Sequence, residues 1–283
     1  MPRALSEGSG CTLEIGVQMR LAGKVMVVTG AGSGLGQALT LELLYRGARV
    51  AAVDLRREGL EATREQAGAK GASLSLHQLD ITDRERVEAL PQEVVAIHGA
   101  VDGLINNAGI IQPFKRLQDL DYATIERVMR VNFYGTLYMI KAFLPLLLAR
   151  PEAHLVNVSS MGGFLPVPGQ TVYGVSKAAL KLLTEGLWAE LQGTSVRVTL
   201  VLPGAMRTAI AEHSGVEAPR VGGEARIPIL EPAKAAKMLL DGVERDAFRI
   251  LLGQDARSMD VLYRINPLWA TRVIQKRMRH LLS

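Results

Sequence analysis

Cysteine is almost missing from this chain of 283 residues, with Cys11 standing alone. One cysteine closes no internal disulfide and builds no Cys-rich metal site, so no metal is expected. The fit is to a reducing compartment, and the expected location is cytoplasmic. Long apolar stretches are missing too. No uninterrupted run reaches the ~18 residues of a membrane span, and residues 1–20 lack the continuous apolar core of a signal peptide. Nor does one sign of charge dominate the body of the chain. The net charge is +5, and residues 257–283 account for it: Arg257, Arg264, Arg272, Lys276, Arg277 and Arg279 face Asp260 alone. The remainder is near neutral, which argues against nucleic acid as a partner. Internal repeats, low-complexity tracts and an interdomain linker are likewise lacking. What remains, 48% apolar and 22% charged, is the composition of a globular protein with chain enough for one large core.

Short β-branched runs alternate with helical patterns throughout. Lys24–Thr29, Ala48–Val53, Ser73–Gln78, Val101–Ile105, His154–Val158, Val196–Leu202 and Phe248–Leu252 read as strands. Helices are expected over 37–46, 57–67, 84–98, 122–149 and 171–191, and from Glu231-Pro232 onward. Such alternation implies an α/β fold: one Rossmann-like, doubly wound parallel sheet with helices on both faces, plus a C-terminal helical extension. The parts are a flexible leader (1–21), a dinucleotide-binding and catalytic domain (22–253) and a basic amphipathic extension (254–283). Residues 205–230 are polar, glycine-bearing and poorly periodic, as a functional lid or a disordered stretch would be.

Ligands of such sheets bind beyond the carboxyl ends of the strands. The chemistry-bearing residues fall on that edge. Thr29, Gly30, Gly34 and Gly36 form T-G-x-x-x-G-x-G between a strand and a helix. Glycines there let the backbone approach a pyrophosphate held by helix N-terminal amides, with Ser33 and Leu35 in the same loop. Asp54 ends the second strand, where a carboxylate holds ribose hydroxyls. That favours NAD over NADP, although Arg56 and Arg57 could instead meet a 2′-phosphate. Asp80-Ile81 ends the third strand, and Asn106-Asn107-Ala108-Gly109 follows the fourth. Asn132 sits inside the long helix, where an amide is disfavoured. Ser159-Ser160 follows the fifth strand and Pro203-Gly204 the sixth. Tyr173 and Lys177 stand four apart at the head of a helix, which stacks them on one face. A nearby ammonium favours the phenolate, so the tyrosine pKa is expected to fall toward a general acid/base's working range.

These residues in this order resemble the short-chain dehydrogenase/reductase family over roughly residues 22–253. The resemblance implies an NAD(P)-dependent oxidoreductase acting on CH-OH groups, with a catalytic set of Asn132, Ser160, Tyr173 and Lys177. Ser160 stands at the family's spacing from the tyrosine and is preferred over Ser159. Asp80 and Ile81 would frame the adenine, Asn107 would support the central sheet, and Thr208 would meet the nicotinamide carboxamide. Gly30, Ser33, Gly34, Leu35, Gly36, Asp54, Ala108, Gly109, Tyr173, Lys177, Pro203 and Gly204 complete the expected cofactor site. A homodimer or homotetramer through the helices at 122–149 and 171–191 is implied as well.

The chemistry itself is simple. Tyr173 would take the alcohol proton as hydride leaves for the nicotinamide, or return it during carbonyl reduction. Lys177 would tune the tyrosine and hold the nicotinamide ribose. Ser160 would donate a hydrogen bond to the developing oxyanion, and Asn132 would anchor a proton-relaying water. Phe164, Leu165, Val167, Pro168, Met206 and Ile210 suggest an apolar alcohol or ketone. The competing reading is a non-catalytic nucleotide-sensing or membrane-surface interaction protein on the same fold. The tail carries its signal, because a basic amphipathic segment can lie on anionic lipid. The tail is expected to pack on its own domain instead, since Trp269 and the leucines would otherwise be exposed.

Overall fold

Five buried residues open the sheet as β1 (Val25–Thr29). Successive side chains of a strand point to opposite faces, and here both faces are covered. Met26 and Val28 enter one apolar cluster, Val25 and Val27 another. The same division recurs at Val50 and Ala52 against Ala51 and Val53, and at Ile105 against Leu104. The continuous apolar runs of β1, β2 and β4 therefore belong to strands buried on both sides.

The computed structural model describes residues 19–206, 210–216 and 229–278. After β1 come α1 (Gly34–Tyr45), β2 (Arg49–Asp54), α2 (Arg57–Ala67), β3 (Leu74–Gln78), α3 (Arg84–His98) and β4 (Gly103–Asn106). Then follow α4 (Tyr122–Met129), a π-helical turn (Arg130–Gly135), α5 (Thr136–Leu148), β5 (Ala153–Val158), α6 (Thr171–Glu190) and β6 (Val196–Pro203). The short α7 (Ile210–His213), α8 (Pro232–Glu244), β7 (Arg249–Leu252), α9 (Gln254–Ile265) and α10 (Pro267–Met278) complete the described chain.

The seven strands lie in the order β3-β2-β1-β4-β5-β6-β7, every pairing parallel. The direction of winding reverses between β1 and β4, and a crevice opens there beyond the strand ends. On one face α1 packs against α8, and Arg46, which caps the C-terminus of α1, pairs with Glu42, Asp241 and Glu244 at 2.9, 2.7 and 2.7 Å. On the other, Val87 and Val94 of α3, Phe143 and Leu147 of α5 and Leu187 of α6 cover the sheet.

Tyr122–Leu148 forms one helical stretch, long and apolar enough by length and composition to cross a membrane. In this fold it covers the sheet: Met139, Ile140, Phe143 and Leu147 are buried in the second cluster. The leader and residues 279–283 fall outside the described residues except for 19–21, as does most of the expected lid.

The tail helices are tied down along one face. Met259, Ala270 and Ile274 enclose Leu165, and Phe164 meets the Tyr263 ring edge-on at 5.9 Å between centroids. Asp260 accepts two 2.7 Å hydrogen bonds from Arg249 of β7 and one of 3.2 Å from Arg264.

Candidate active site

The strand-end crevice is a cleft of about 690 Å³. Its first wall is the glycine loop, where Gly30, Ser33, Gly34 and Leu35 face the cleft. Gly36 sits behind them: a Cβ at this position would collide with the Gly30 carbonyl oxygen and with Asn107. The close approach of α1 to the loop therefore requires glycine. The Asn-Asn-Ala-Gly turn is fastened to the same place. The Thr29 hydroxyl accepts from the Asn107 and Ala108 amides at 3.0 and 3.1 Å, while Asn107 Nδ2 donates to the Thr29 carbonyl at 3.1 Å. Asn107, Ala108 and Gly109 line the cleft beside the loop.

Asp54 lies at the far end. Its Oδ2 accepts from the Gly32 amide at 2.9 Å and its Oδ1 from the Arg56 amide at 3.0 Å, which fixes the carboxylate beside the loop. Of the two arginines, Arg56 lines the cleft, whereas Arg57 pairs with Glu61 along α2. Asp80 and Ile81 line the wall next to Asp54. Asp80 Oδ1 accepts from the Thr82 amide at 2.8 Å, and the Ile81 side chain fills the space over Gly135.

The catalytic candidates converge on the opposite end. Asn132 is fully buried in the π turn. Both N–H groups of its amide are used, donating to the Ile110 carbonyl and to Ser176 Oγ at 2.9 Å each, and its Oδ1 accepts from the Ile110 amide at 2.8 Å. Ser176 Oγ in turn donates to the Tyr173 carbonyl at 2.7 Å. Asn132 thus links the β4 loop to the turn of α6 that carries the tyrosine. Ser159 Oγ donates to the Lys177 carbonyl at 2.7 Å and is spent on holding α6, whereas Ser160, whose Oγ accepts from the Gly162 amide at 3.0 Å, and Tyr173 both face the cleft. Lys177 Nζ donates to the Val158 carbonyl at 3.0 Å and lies against Gly109.

Burial decides the protonation chemistry. It pushes the Tyr173 phenol above its ordinary value, and the Ser160 hydroxyl only partly opposes this. The fall expected from the lysine charge is not what the geometry gives. Burial also pulls the Lys177 ammonium down to about 8. Each charged form loses hydration in this pocket, and that loss is the largest influence on both groups.

Two residues escaped the sequence reading. Gln112 is buried, and its Oε1 accepts from the Tyr173 amide at 2.9 Å while its Nε2 donates to the Gly169 carbonyl at 2.9 Å. It caps α6 in place of the missing helix partner. Asp255, at the start of α9, accepts from the Ala205 amide at 2.7 Å through Oδ2, while its Oδ1 lies against Gly204. A side chain at Gly204 would strike this carboxylate, so the glycine of the Pro203-Gly204 turn makes room for Asp255. No local spacing announces either contact. Pro203 and Gly204 line the cleft, whereas Thr208 lies outside the described residues.

The apolar lining differs in part from expectation. Met206 and Ile210 face the cleft, joined by Ile110, Ile111 and Val131. Leu165 and Phe164 turn instead toward the tail helices, where Leu165 is fully buried. Among the described residues no cluster of His, Cys, Asp and Glu is arranged to hold a metal ion.

Comparison with known proteins agrees with this geometry. The family model described as short chain dehydrogenase matches residues 24–218. A Mycobacterium tuberculosis protein designated oxidoreductase SadH is 39% identical over 251 residues, 86% of this chain and 91% of that protein. Among solved structures, a short chain dehydrogenase/reductase from Burkholderia phymatum in complex with NAD superposes with a TM-score of 0.80. It is 26% identical, over 89% of this chain and 96% of that one. A short chain dehydrogenase from Burkholderia cenocepacia, in complex with NADP, gives 0.76 at 30% identity over 90% and 99% of the two chains.

Proposed function

This chain belongs to the short-chain dehydrogenase family, and from that premise we propose that it transfers a hydride between a nicotinamide cofactor and an apolar secondary alcohol or ketone. The observation that carries the reading is the convergence of Ser160, Tyr173 and Lys177 on one wall of the cleft that the glycine loop and Asp54 also line.

The cleft suits a dinucleotide on its own terms, because α1 approaches the glycine loop so closely at Gly36 that only bare backbone fits. Amides of the glycine loop would hold the pyrophosphate, Asp54 the adenosine ribose, Lys177 the second ribose and the Pro203-Gly204 turn the carboxamide. When bound, the cofactor supplies the hydride donor or acceptor. The protein's own residues manage the proton. A phenol held above its ordinary value is protonated near neutral pH, ready to give its proton to a ketone oxygen. In alcohol oxidation the phenolate must form first. The Ser160 hydroxyl donates to the oxygen on which charge develops, a contribution typically of about 3 kcal/mol. The Asn132 amide has both N–H groups engaged, so its part is to position Ile110 and Ser176, and a relaying water would have to be held by an acceptor.

NAD is the proposed cofactor, since a carboxylate pinned by two backbone amides repels a 2′-phosphate. Arg56 at the cleft wall is the feature that favours NADP. A homo-oligomer is proposed through α4, α5 and α6, where Tyr122 and Leu182 are 82% and 69% exposed; sedimentation as a monomer at micromolar concentration would contradict it. A cytoplasmic location is proposed on the cysteine argument, and fractionation of cells checks it.

Tyr173→Phe tests the central assignment. Cofactor titration should be unchanged, while turnover of a secondary-alcohol panel falls at least the roughly 10²–10⁴-fold that loss of general acid/base catalysis costs. Turnover near that of the unmodified protein would overturn the reading.

A further inference from the structure

The α9–α10 pair has a second apolar face, and nothing in the described fold covers it. Val261 and Ile265, four residues apart on α9, are 58% and 77% exposed; Leu268 and Trp269, in the first turn of α10, are 73% and 53% exposed. These are not loose ends. The opposite face of the same helices holds Met259, Ala270 and Ile274 around Leu165, and Arg249 grips Asp260 in a bidentate pair. The corner between the helices is a single residue, Asn266, whose Oδ1 accepts from the Trp269 amide at 2.9 Å. The packed tail expected from sequence is therefore half correct: one face is buried, and the tryptophan and its apolar neighbours are exposed.

The charge on that outer face has one sign. Arg257 and Arg264 flank Val261 and Ile265 at helical spacing, and Arg272 and Lys276 stand one and two turns beyond Leu268; all four are exposed. The two acidic groups of the pair turn inward, Asp255 to the Ala205 amide and Asp260 to Arg249, and Arg264 reaches back to Asp260 at 3.2 Å, so Arg257, Arg272 and Lys276 carry the outward charge. Arginine and lysine stems can lie along apolar surface with their charges at headgroup level, and tryptophan favours the same depth.

We propose that this corner docks on an anionic bilayer surface, inserting Ile265, Leu268 and Trp269 among the headgroups while Arg257, Arg272 and Lys276 meet lipid phosphate. Two observations favour lipid over protein. A two-fold contact with a second copy sets a patch against itself, which here would oppose arginine to arginine. The apolar side chains also protrude, whereas a docked segment needs a concave seat. The inner face of the pair meets Phe164 and Leu165, close in sequence to Ser160, so docking would bring the substrate side of the cleft near the lipid. That last step alone rests on the function proposed above.

The test is flotation of the full chain with vesicles of phosphatidylcholine, alone or mixed with phosphatidylglycerol, at low and high salt. The protein should float with the mixed vesicles only and be released by salt. Arg272→Gln should lower the partition about fivefold, the share of one basic group near an anionic surface. Leu268→Glu and Ile265→Glu should abolish flotation yet leave turnover of a water-soluble alcohol and thermal stability unchanged, since both side chains point outward. Flotation absent from mixed vesicles, or equal on the neutral ones, overturns the proposal. So does a Leu268→Glu variant that sediments as a smaller oligomer than the unmodified protein, because a second copy would then cover the corner.

Discussion

Lys177 is a buried cation that the fold tolerates at a cost, and replacing it should make the protein more stable. Its side chain is 3% exposed, and its pKa falls from 10.5 to about 8. A tenfold change in proton affinity corresponds to about 1.4 kcal/mol, so near neutral pH the charged form destabilises the fold by roughly 3 kcal/mol. Lys177→Met removes that penalty while keeping a straight side chain of similar length. It also leaves the Val158 carbonyl without its 3.0 Å donor, an opposing loss of about 1–2 kcal/mol. The net expectation is a variant about 1–2 kcal/mol more stable at pH 7, with turnover abolished. Raising the pH supplies the sharper check. The unfolded chain keeps the lysine proton up to 10.5, while the folded protein releases it near 8. Between those values the unfolded state of the unmodified protein binds more protons, and alkali favours its folded state. The advantage of the methionine variant should therefore shrink by up to about 1.4 kcal/mol per pH unit, vanish within this window and become a deficit above it, where only the lost Val158 hydrogen bond remains. Urea denaturation of both proteins near pH 7 and near pH 10 measures the gap. A methionine variant less stable at pH 7, or a gap independent of pH, would refute the reasoning.

Three further outcomes follow from the same site. Ultraviolet difference titration against Tyr173→Phe should show phenolate forming above the ordinary 10.0, because burial outweighs the Ser160 hydroxyl; a phenolate signal near neutrality would restore the lysine-lowered tyrosine. Asp54→Ala should narrow or reverse a preference for NAD measured as the ratio of kcat/KM with the two cofactors. A preference of the unmodified protein for NADP by about tenfold would instead mean that Arg56 governs the ribose end. Asp255→Ala should raise the cofactor KM about tenfold by freeing the Ala205 amide, while Asp255→Asn, which keeps an acceptor, should stay within a few-fold; equal effects would show that the contact does not position the turn.

What could be read from sequence was whatever a local signal announces. The helices at 57–67 and 84–98 end where their polar and apolar periods end, and β1, β2, β4, β6 and β7 end at or just before Gly, Asn or Asp. Asn132 announced itself as an amide inside a helix. The π turn around it did not, because inserting one residue into a helical turn leaves the apolar pattern almost unchanged. Asp255 and Gln112 act through partners 50 and 61 residues away, and neither spacing nor residue type reveals such a contact. Leu165 was legible as apolar and close to Ser160. Which of two apolar surfaces would claim it depended on how α9 and α10 cross, a tertiary matter. Trp269 shows the converse, since an amphipathic pattern gives the existence of an apolar face and not its partner.

The carboxylate that steadies the Ala205 turn arrives late. Synthesis runs from the N-terminus, and domains fold largely in that direction. The glycine loop, Asp54 and the Asn107 turn are all in hand once β4 has emerged, whereas Asp255 follows β7, the last strand of the sheet. On the function proposed above, the residues that would face the adenosine are therefore synthesised by the end of the Asn107 turn, and the carboxylate behind the nicotinamide end follows only after β7. A chain that lacks α9 should, on that function, keep the adenosine contacts of the glycine loop and Asp54 yet hold the reactive ring only loosely, because the Ala205 turn then has no carboxylate to fix it.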